Sequence, residues 1–259
     1  MTPQHTTIVS WNVNGIRAAE KKGFLDWLQN ARADVVAVQE TRASVAQVSA
    51  ALREPHGFHA SWCAAEKKGY SGVATFSRMP PLAVTCSLGD PRFDSAGRVL
   101  VSDFSDWTLF NIYFPNGGRG PELVEHKLAF YARFLEVVSA LIAAGRRVVV
   151  AGDVNTAYAE IDLARPRANT KTSGFMPEER AALGQFFAAG LIDTFRHVRP
   201  TEVKYTWWYV GSGARARNVG WRLDYIFVSP NLRDAIVDAD IHTDVFGSDH
   251  CPVSVTLRM

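Results

Sequence analysis

The feature that most constrains this chain is a recurring one: short apolar, β-branched or aromatic runs that stop at an ionisable or amide side chain. Thr7 to Trp11 runs into Asn12 and Asn14, Val35 to Gln39 into Glu40, Trp107 to Phe114 into Asn116, and Arg147 to Ala151 into Asp153 and Asn155. The segment Gly247 to His250 stands just ahead of a further run, Pro252 to Leu257. Runs of this length and composition read as strands. VVAV and VVVA lack polar alternation, as expected of central strands covered on both faces. Strand ends in a layered fold converge on one edge, so polar residues far apart in sequence are expected to share a cleft there.

Gly72 to Phe76, Val99 to Phe104 and Asp224 to Val228 complete the strand set. Helical patterns fall between: Gly23 to Asn30, Ser44 to Leu52, Glu122 to Ala144, and Pro177 to Ala189, where proline suits a first turn. Strands interleaved with helices predict an α/β fold, a four-layer α/β sandwich in which two packed mixed β-sheets are flanked by helices. At 259 residues, one large domain or two small ones are both reasonable. No repeat, low-complexity tract or linker marks a boundary, so a single domain over residues 1–259 is the simpler reading.

Apolar residues make up 47% and charged residues 21%, too polar for a membrane protein, and Val35 to Val38 and Val148 to Ala151 are far too short to span a bilayer. The start MTPQHTT lacks the basic and apolar regions of a signal peptide, so a cytoplasmic protein without a membrane partner is expected. Cys63, Cys86 and Cys251 show no metal-type spacing and read as buried thiols. The net charge of +2 does not itself argue for nucleic acid, but its distribution is uneven. Arg196, Arg199, Lys204, Arg215, Arg217 and Arg222 stand against Glu202 alone in one segment, with tryptophans interleaved.

Each polar pattern is weak alone: Gly-Asp-x-Asn is a common turn, and Ser-Asp-His suits a surface loop or a helix cap. Together, Glu40, Asp153, Asp224, Asp249 and His250 are ionisable groups abutting apolar strands, a costly placement without partners. Trp11 and Trp27 fall within apolar faces and read as core. Tyr113 alternates with Phe110, Ile112 and Phe114, so it faces away from them and has a plain reading as a half-buried aromatic.

The motifs SWNVNGIRA (10 to 18), VQETR (38 to 42), KKGYSGVA (67 to 74), NIYFPNGGRG (111 to 120), AGDVNTAYAEIDL (151 to 163), GWRLDYIFVS (220 to 229) and GSDHCP (247 to 252) lie in order along the chain. The set resembles, end to end, the exonuclease III and abasic-site (AP) endonuclease family of the endonuclease/exonuclease/phosphatase superfamily. The resemblance implies a Mg²⁺-dependent (or Mn²⁺-dependent) nuclease, with Glu40 as main metal ligand and Asn14, Asn12 and Asp249 at the metal site. Magnesium prefers oxygen ligands and one or two carboxylates, which suits Glu40. Asn14 stands where many relatives carry aspartate, an oxygen without its charge. By the same resemblance Asp153 activates the attacking water, Asn155 donates to the phosphate, His250 contacts a phosphate oxygen with Asp224 behind it, and Tyr113 assists the leaving oxygen. The opposite division of labour, with His250 as the base, is equally self-consistent.

The resemblance also implies double-stranded DNA with abasic sites or 3′-blocked ends as partner, cut by a monomer on the 5′ side of the lesion to leave a 3′-hydroxyl and a 5′-deoxyribose phosphate. Arg17, Lys67, Lys68, Tyr70, Asn116, Arg119, Asn169 and Lys171, with Arg165 and Arg167 nearby, are the expected DNA contacts; Thr172 replaces an asparagine of the family and is given no role. Trp207, Trp221 and Leu223 match the wall of a pocket for the base-free sugar, and loss of stacking and pairing makes such a nucleotide easier to extrude. The loop Gly211 to Arg217 departs from exonuclease III, leaving the balance of endonuclease and 3′–5′ exonuclease open. The rivals are a mainly exonucleolytic enzyme, a lipid or inositol phosphate phosphoesterase of the same superfamily, and a non-catalytic DNA-binding domain.

Overall fold

The computed structural model describes residues 5–118, 120–211 and 213–259. In chain order its strands are β1 (His5–Asn12), β2 (Val35–Gln39), β3 (His59–Cys63), β4 (Val73–Ser77), β5 (Ala83–Thr85), β6 (Val99–Asp103) and β7 (Trp107–Tyr113). They continue with β8 (Arg147–Asp153), β9 (Ile192–Asp193), β10 (Trp207–Trp208), β11 (Gly220–Trp221), β12 (Asp224–Val228), β13 (Ile236–Ile241) and β14 (Val253–Arg258). One mixed sheet has the order β13-β14-β1-β2-β4-β3, a second β5-β6-β7-β8-β12-β9, and β10 and β11 form a separate ribbon.

The helices are α1 (Ile16–Lys21), α2 (Phe24–Asn30), α3 (Ala50–Arg53), α4 (Pro91–Asp94), α5 (Pro121–Ala143), α6 (Pro177–Ala188) and α7 (Thr194–Val198). Ile8, Val35, Leu109, Val149 and Ile226 fill the space between the sheets. On the outer face of the second sheet Phe110, Ile112 and Phe114 meet Phe130 and Phe134 of α5 and Phe186 of α6. On the outer face of the first sheet Val9 and Trp11 meet Ile16 of α1 and Phe24 and Leu28 of α2. The result is the expected sandwich: helices, sheet, sheet, helices. Trp11 lies in core as expected, edge to face with Trp27 at 4.6 Å between centroids.

Slippage between the sheets is opposed by a buried polar pin. Gln39 Nε2 donates to Asn111 Oδ1 at 2.8 Å, and Asn111 Nδ2 donates to Ala74 O at 2.8 Å and Thr75 Oγ1 at 3.1 Å. A satisfied network in low dielectric specifies one register, because a slid arrangement strands its donors. The pin lies one layer below the polar edge.

The expected helix Ser44 to Leu52 is divided into a 3₁₀ turn, Val45–Gln47, and α3. Ser44 caps the first piece and Ser49 the second, with Val48 extended between them; serine hydroxyls favour caps over helix interiors. Cys63 and Cys251 are buried as expected, but Cys86 is exposed. Among the described residues, no helix is long and apolar enough to cross a membrane.

Candidate active site

Parallel pairing carries the chemistry to one edge. β1 and β2 run parallel, as do β7 and β8, so Asn12 and Glu40 at the ends of the first pair face Tyr113 and Asp153 at the ends of the second. β12 runs antiparallel to β8 and begins at the same edge, which pairs Asp224 with Asp153. His250 enters just before β14 and bridges to Trp207 of the ribbon. Asn14, Glu40, Arg42 and Asn155 all have left-handed backbones (φ 48°, 52°, 50° and 56°) where their strands break off. Such conformations cost about 1–3 kcal/mol each and persist where the surroundings over-determine them.

Asn12, fully buried, joins the two sheets. Its Nδ2 donates to Glu40 Oε1 at 3.0 Å and to Asp153 Oδ2 at 2.9 Å, and its Oδ1 accepts from Asn14 N at 3.0 Å. Asn14 Nδ2 donates to Asp249 Oδ1 at 2.8 Å, and Trp207 Nε1 donates to Asp249 Oδ2 at 3.0 Å. Asp249 therefore ties the metal-side amide to the wall of the aromatic pocket. His250 Nδ1 lies 2.8 Å from Asp224 Oδ2, and its Nε2 lies 3.9 Å from Asp153 Oδ2.

Burial would lower the His250 pKa, but the charges of Asp224, Asp153 and Asp249 outweigh it and push it up to about 10. Burial and the neighbouring Asp224 hold Asp153 above the ordinary carboxylate range, with His250 opposing them. Tyr113 is pushed well up, first by burial and then by Glu40 and Asp153, so at neutral pH it is a phenol with a proton to donate. Asp249 and Glu40 are held low in spite of burial, Asp249 by His250, Asn14 and Trp207, and Glu40 by Asn12 and Arg42.

The oxygen donors fit a hard divalent cation. Glu40 offers its carboxylate, Asn14 keeps Oδ1 as an acceptor, Asp249 adds a second carboxylate, and all three line one cleft of about 690 Å³. Arg42 pairs with Glu40 Oε2 at 2.5 Å, but its side chain is 45% exposed, so this is a surface pair that an ion can displace. Ligand atoms of Asp153, Asp224 and His250 also lie within 4.8 Å of one another, an ion-sized spacing. Without an ion, these carboxylates keep His250 charged and the trio shares a proton.

Trp207 and Trp221 pair across the ribbon, with ring centroids 6.5 Å apart and planes at 78°, and pack with Leu223, Phe175 and Leu163. Trp207, Trp221 and Leu223 line the same cleft as Asp153 and His250. Tyr70 and Asn116 line it too. Lys67 and Lys68 are exposed just ahead of Gly69 and Tyr70, and Lys171 is exposed just ahead of Thr172. Arg17 lines an adjoining groove with Lys21 and Arg42. Arg119 lies outside the described residues.

Asn155, Asn169 and the basic segment each have internal partners. Asn155 Nδ2 is turned inward, donating to Phe114 O at 2.9 Å and lying 3.4 Å from Asp153 Oδ2, while Oδ1 accepts from Asn116 Nδ2 at 2.9 Å. The backbone N–H of Asn155 donates to Asp153 Oδ1 at 2.9 Å, and Asn155 lines the same cleft. Asn169 folds its amide onto Arg165 O at 3.0 Å and is not in the cleft lining, whereas Thr172 is. The basic segment is largely neutralised. Arg222 and Arg196 pair with Asp162, Arg199 with Asp238, and Lys204 with Asp240. Arg215 is spent on the carbonyls of Thr243, Val245 and Ser248.

Arg98 also lines the cleft, stacked on Tyr113. Its guanidinium lies 4.8 Å from the Tyr113 ring centroid and 5.3 Å from that of Tyr70, and its Nη2 donates to Tyr70 Oη at 2.6 Å. Its sequence signal is a charged residue directly abutting the run VLVS, the pattern that marked Glu40.

Two packed mixed sheets with carboxylate, amide and imidazole groups gathered over one edge define a phosphoesterase of the α/β-sandwich class. The chain belongs to the Endonuclease/Exonuclease/phosphatase family, whose profile matches residues 9–250. It is similar to an exodeoxyribonuclease of Bacillus subtilis (strain 168), 41% identical over 254 residues covering 97% of this chain and 99% of the relative. It is also similar to the DNA repair nuclease APEX1 of Danio rerio, 39% identical across 97% of this chain and 82% of the relative. The solved structure of an AP endonuclease from Archaeoglobus fulgidus superposes with a TM-score of 0.89 at 26% identity, covering 98% of this chain and 100% of that one. These similarities assign the chain to the exonuclease III and AP endonuclease branch of the family.

Proposed function

We propose that this protein is a base-excision-repair nuclease, acting as a monomeric catalytic domain in the cytoplasm. It hydrolyses the phosphodiester 5′ to an abasic site in duplex DNA, giving a 3′-hydroxyl and a 5′-deoxyribose phosphate, with 3′–5′ exonuclease and 3′-phosphodiesterase activity at chain ends. The observation that carries the reading is one cleft lined both by Asp153 and His250, with Asp224 behind the imidazole, and by the Trp207–Trp221–Leu223 wall. An apolar pocket beside a phosphate-hydrolysing edge suits a sugar that has lost its base; an inositol headgroup would call for polar walls.

Glu40 and Asn14, with Asn12 and Asp249 holding them, are the residues that would bind Mg²⁺ or Mn²⁺. When bound, the cation supplies charge neutralisation at the phosphate. Asp153, oriented by Asn12 and by the Asn155 backbone, takes the proton of the attacking water; its raised pKa makes it the stronger base. His250, kept charged by Asp224, faces the phosphate oxygens as a cation and is a poor base. Tyr113 gives its proton to the departing 3′ oxygen. Lys67, Lys68, Arg17, Lys171 and Tyr70 hold the duplex backbone.

The test is a duplex with one abasic analogue, incubated with Mg²⁺ or EDTA, for wild type, Asp153→Asn and His250→Ala. Cleavage should need the metal, and each variant should lose about 10²–10⁴-fold in kcat. Metal-independent cleavage, or full activity in either variant, contradicts the mechanism.

A further inference from the structure

Lys127 of α5 and Glu179 of α6 form an ion pair with no exposed side-chain surface, Nζ to Oε1 at 2.7 Å. Replacing such a buried pair by apolar groups of similar volume is often neutral or stabilising, so stability alone is a weak reason for it to be there. What the pair touches is more telling. Lys127 Nζ also donates to Asn155 O at 2.6 Å, in the turn that directs the Asn155 N–H onto Asp153 Oδ1. Glu179 accepts from Ser173 Oγ at 2.8 Å, from Gly174 N at 2.5 Å and from Met176 N at 3.2 Å, and so gathers the loop that runs along the aromatic pocket.

Gly174 is where the two ends meet. Its backbone is left-handed (φ +94°), and a Cβ there would lie 3.2 Å from Asn155 O and 3.3 Å from Trp221 Cζ3. Trp221, Gly174, Glu179, Lys127, Asn155 and Asp153 are therefore linked by close contacts or hydrogen bonds without a gap.

We propose that Lys127 and Glu179 are positioning residues that lock the wall of the aromatic pocket to the turn aiming Asp153, so that a sugar seated against Trp221 is brought into register with the attacking water. The proposal rests on the abasic-endonuclease reading above. Neither side chain reaches the cleft, so the pair acts on the reaction step and leaves DNA binding alone. Fixing reacting groups is worth a great deal, since a displacement of about 1 Å costs on the order of 10²-fold in rate.

The test is the double variant Lys127→Met/Glu179→Leu, which replaces the pair with apolar side chains of similar volume. Because the replacement also removes the partners of Asn155 O, Ser173 Oγ, Gly174 N and Met176 N, its melting temperature should fall, while in the folded variant KM for the abasic duplex should stay within about twofold and kcat should fall about 10²-fold. A merely structural pair would give unchanged kcat in the folded variant, and that result overturns the proposal; so does a rise in KM alone. If the double variant does not fold, Lys127→Arg, which keeps the charge but not the single-nitrogen reach to Asn155 O, is read by the same split: lowered kcat at constant KM supports the proposal, and unchanged kcat overturns it. Failure of wild type to cut the abasic duplex would instead overturn the functional reading beneath it.

Discussion

His250 is only 5% exposed, and a buried imidazole without partners sheds its proton. Here Asp224 lies 2.8 Å from Nδ1, and three carboxylates together push the pKa up to about 10. In the unfolded chain the same histidine titrates near 6.5. The folded value is the higher one, so the contribution of this charged pair to stability is complete below about pH 6.5 and is lost as pH rises through about 10. Asp224→Asn removes the leading opposing charge, so burial weighs more against the remaining Asp153 and Asp249. Ring NMR of the metal-free protein should show His250 still protonated at pH 8 in wild type and titrating at lower pH in Asp224→Asn. A wild-type His250 that titrates near 6.5 would remove the imidazolium from the mechanism and return the role of base to it.

At the scale of elements, the distance between β7 and β8 sets how Tyr113 meets Asp153, because these two residues are partners in the parallel register. Gly152 makes the close approach possible: a Cβ there would lie 1.8 Å from Ile112 O, nearer than any side-chain atom can sit. Gly152→Ala must push the strands apart at the catalytic edge. It should destabilise the fold by about 1–3 kcal/mol, seen as a lower urea midpoint, and reduce kcat as well; wild-type kinetics would mean that strand spacing does not set the site. The strands carrying the site were legible because burial on both faces writes an uninterrupted apolar run, as in VVAVQ and RVVVAGD. β3, β5 and β13 were not, because an edge strand is exposed along much of its length and its residues need not be apolar: HASWC and IVDADI carry polar residues that no periodicity marks. Among site residues, Glu40, Asp153, Asp224 and His250 were legible as charges at strand ends. Arg98 abuts an apolar run, but its tie to Tyr70 and the Lys127 contacts with Asn155 and Glu179 span 28 residues or more, which no local pattern in one sequence reveals.

For the whole molecule, the distribution of free charge matters more than the distribution of charge along the chain. The segment from Arg196 to Arg222 reads as the most basic in the sequence, yet its cations mostly face Asp162, Asp238 and Asp240 or backbone carbonyls. Ion pairing of this kind fixes loops and leaves few counterions to release on binding DNA. Lys67, Lys68, Arg17 and Lys171 are exposed beside the cleft or its neighbouring groove and have no salt bridge among the described residues, so they are the cations free to displace salt from phosphates. Each phosphate neutralised adds about −0.9 to the slope of log K against log salt concentration. Lys67→Gln/Lys68→Gln should therefore flatten the slope for duplex DNA by about two, whereas Arg199→Gln/Lys204→Gln should leave it unchanged while weakening surface pairs worth at most about 1 kcal/mol each. Binding titrations from low to physiological salt measure both. Equal flattening by the two double variants would mean that the paired segment opens to meet DNA and that its ion pairs exchange aspartate for phosphate.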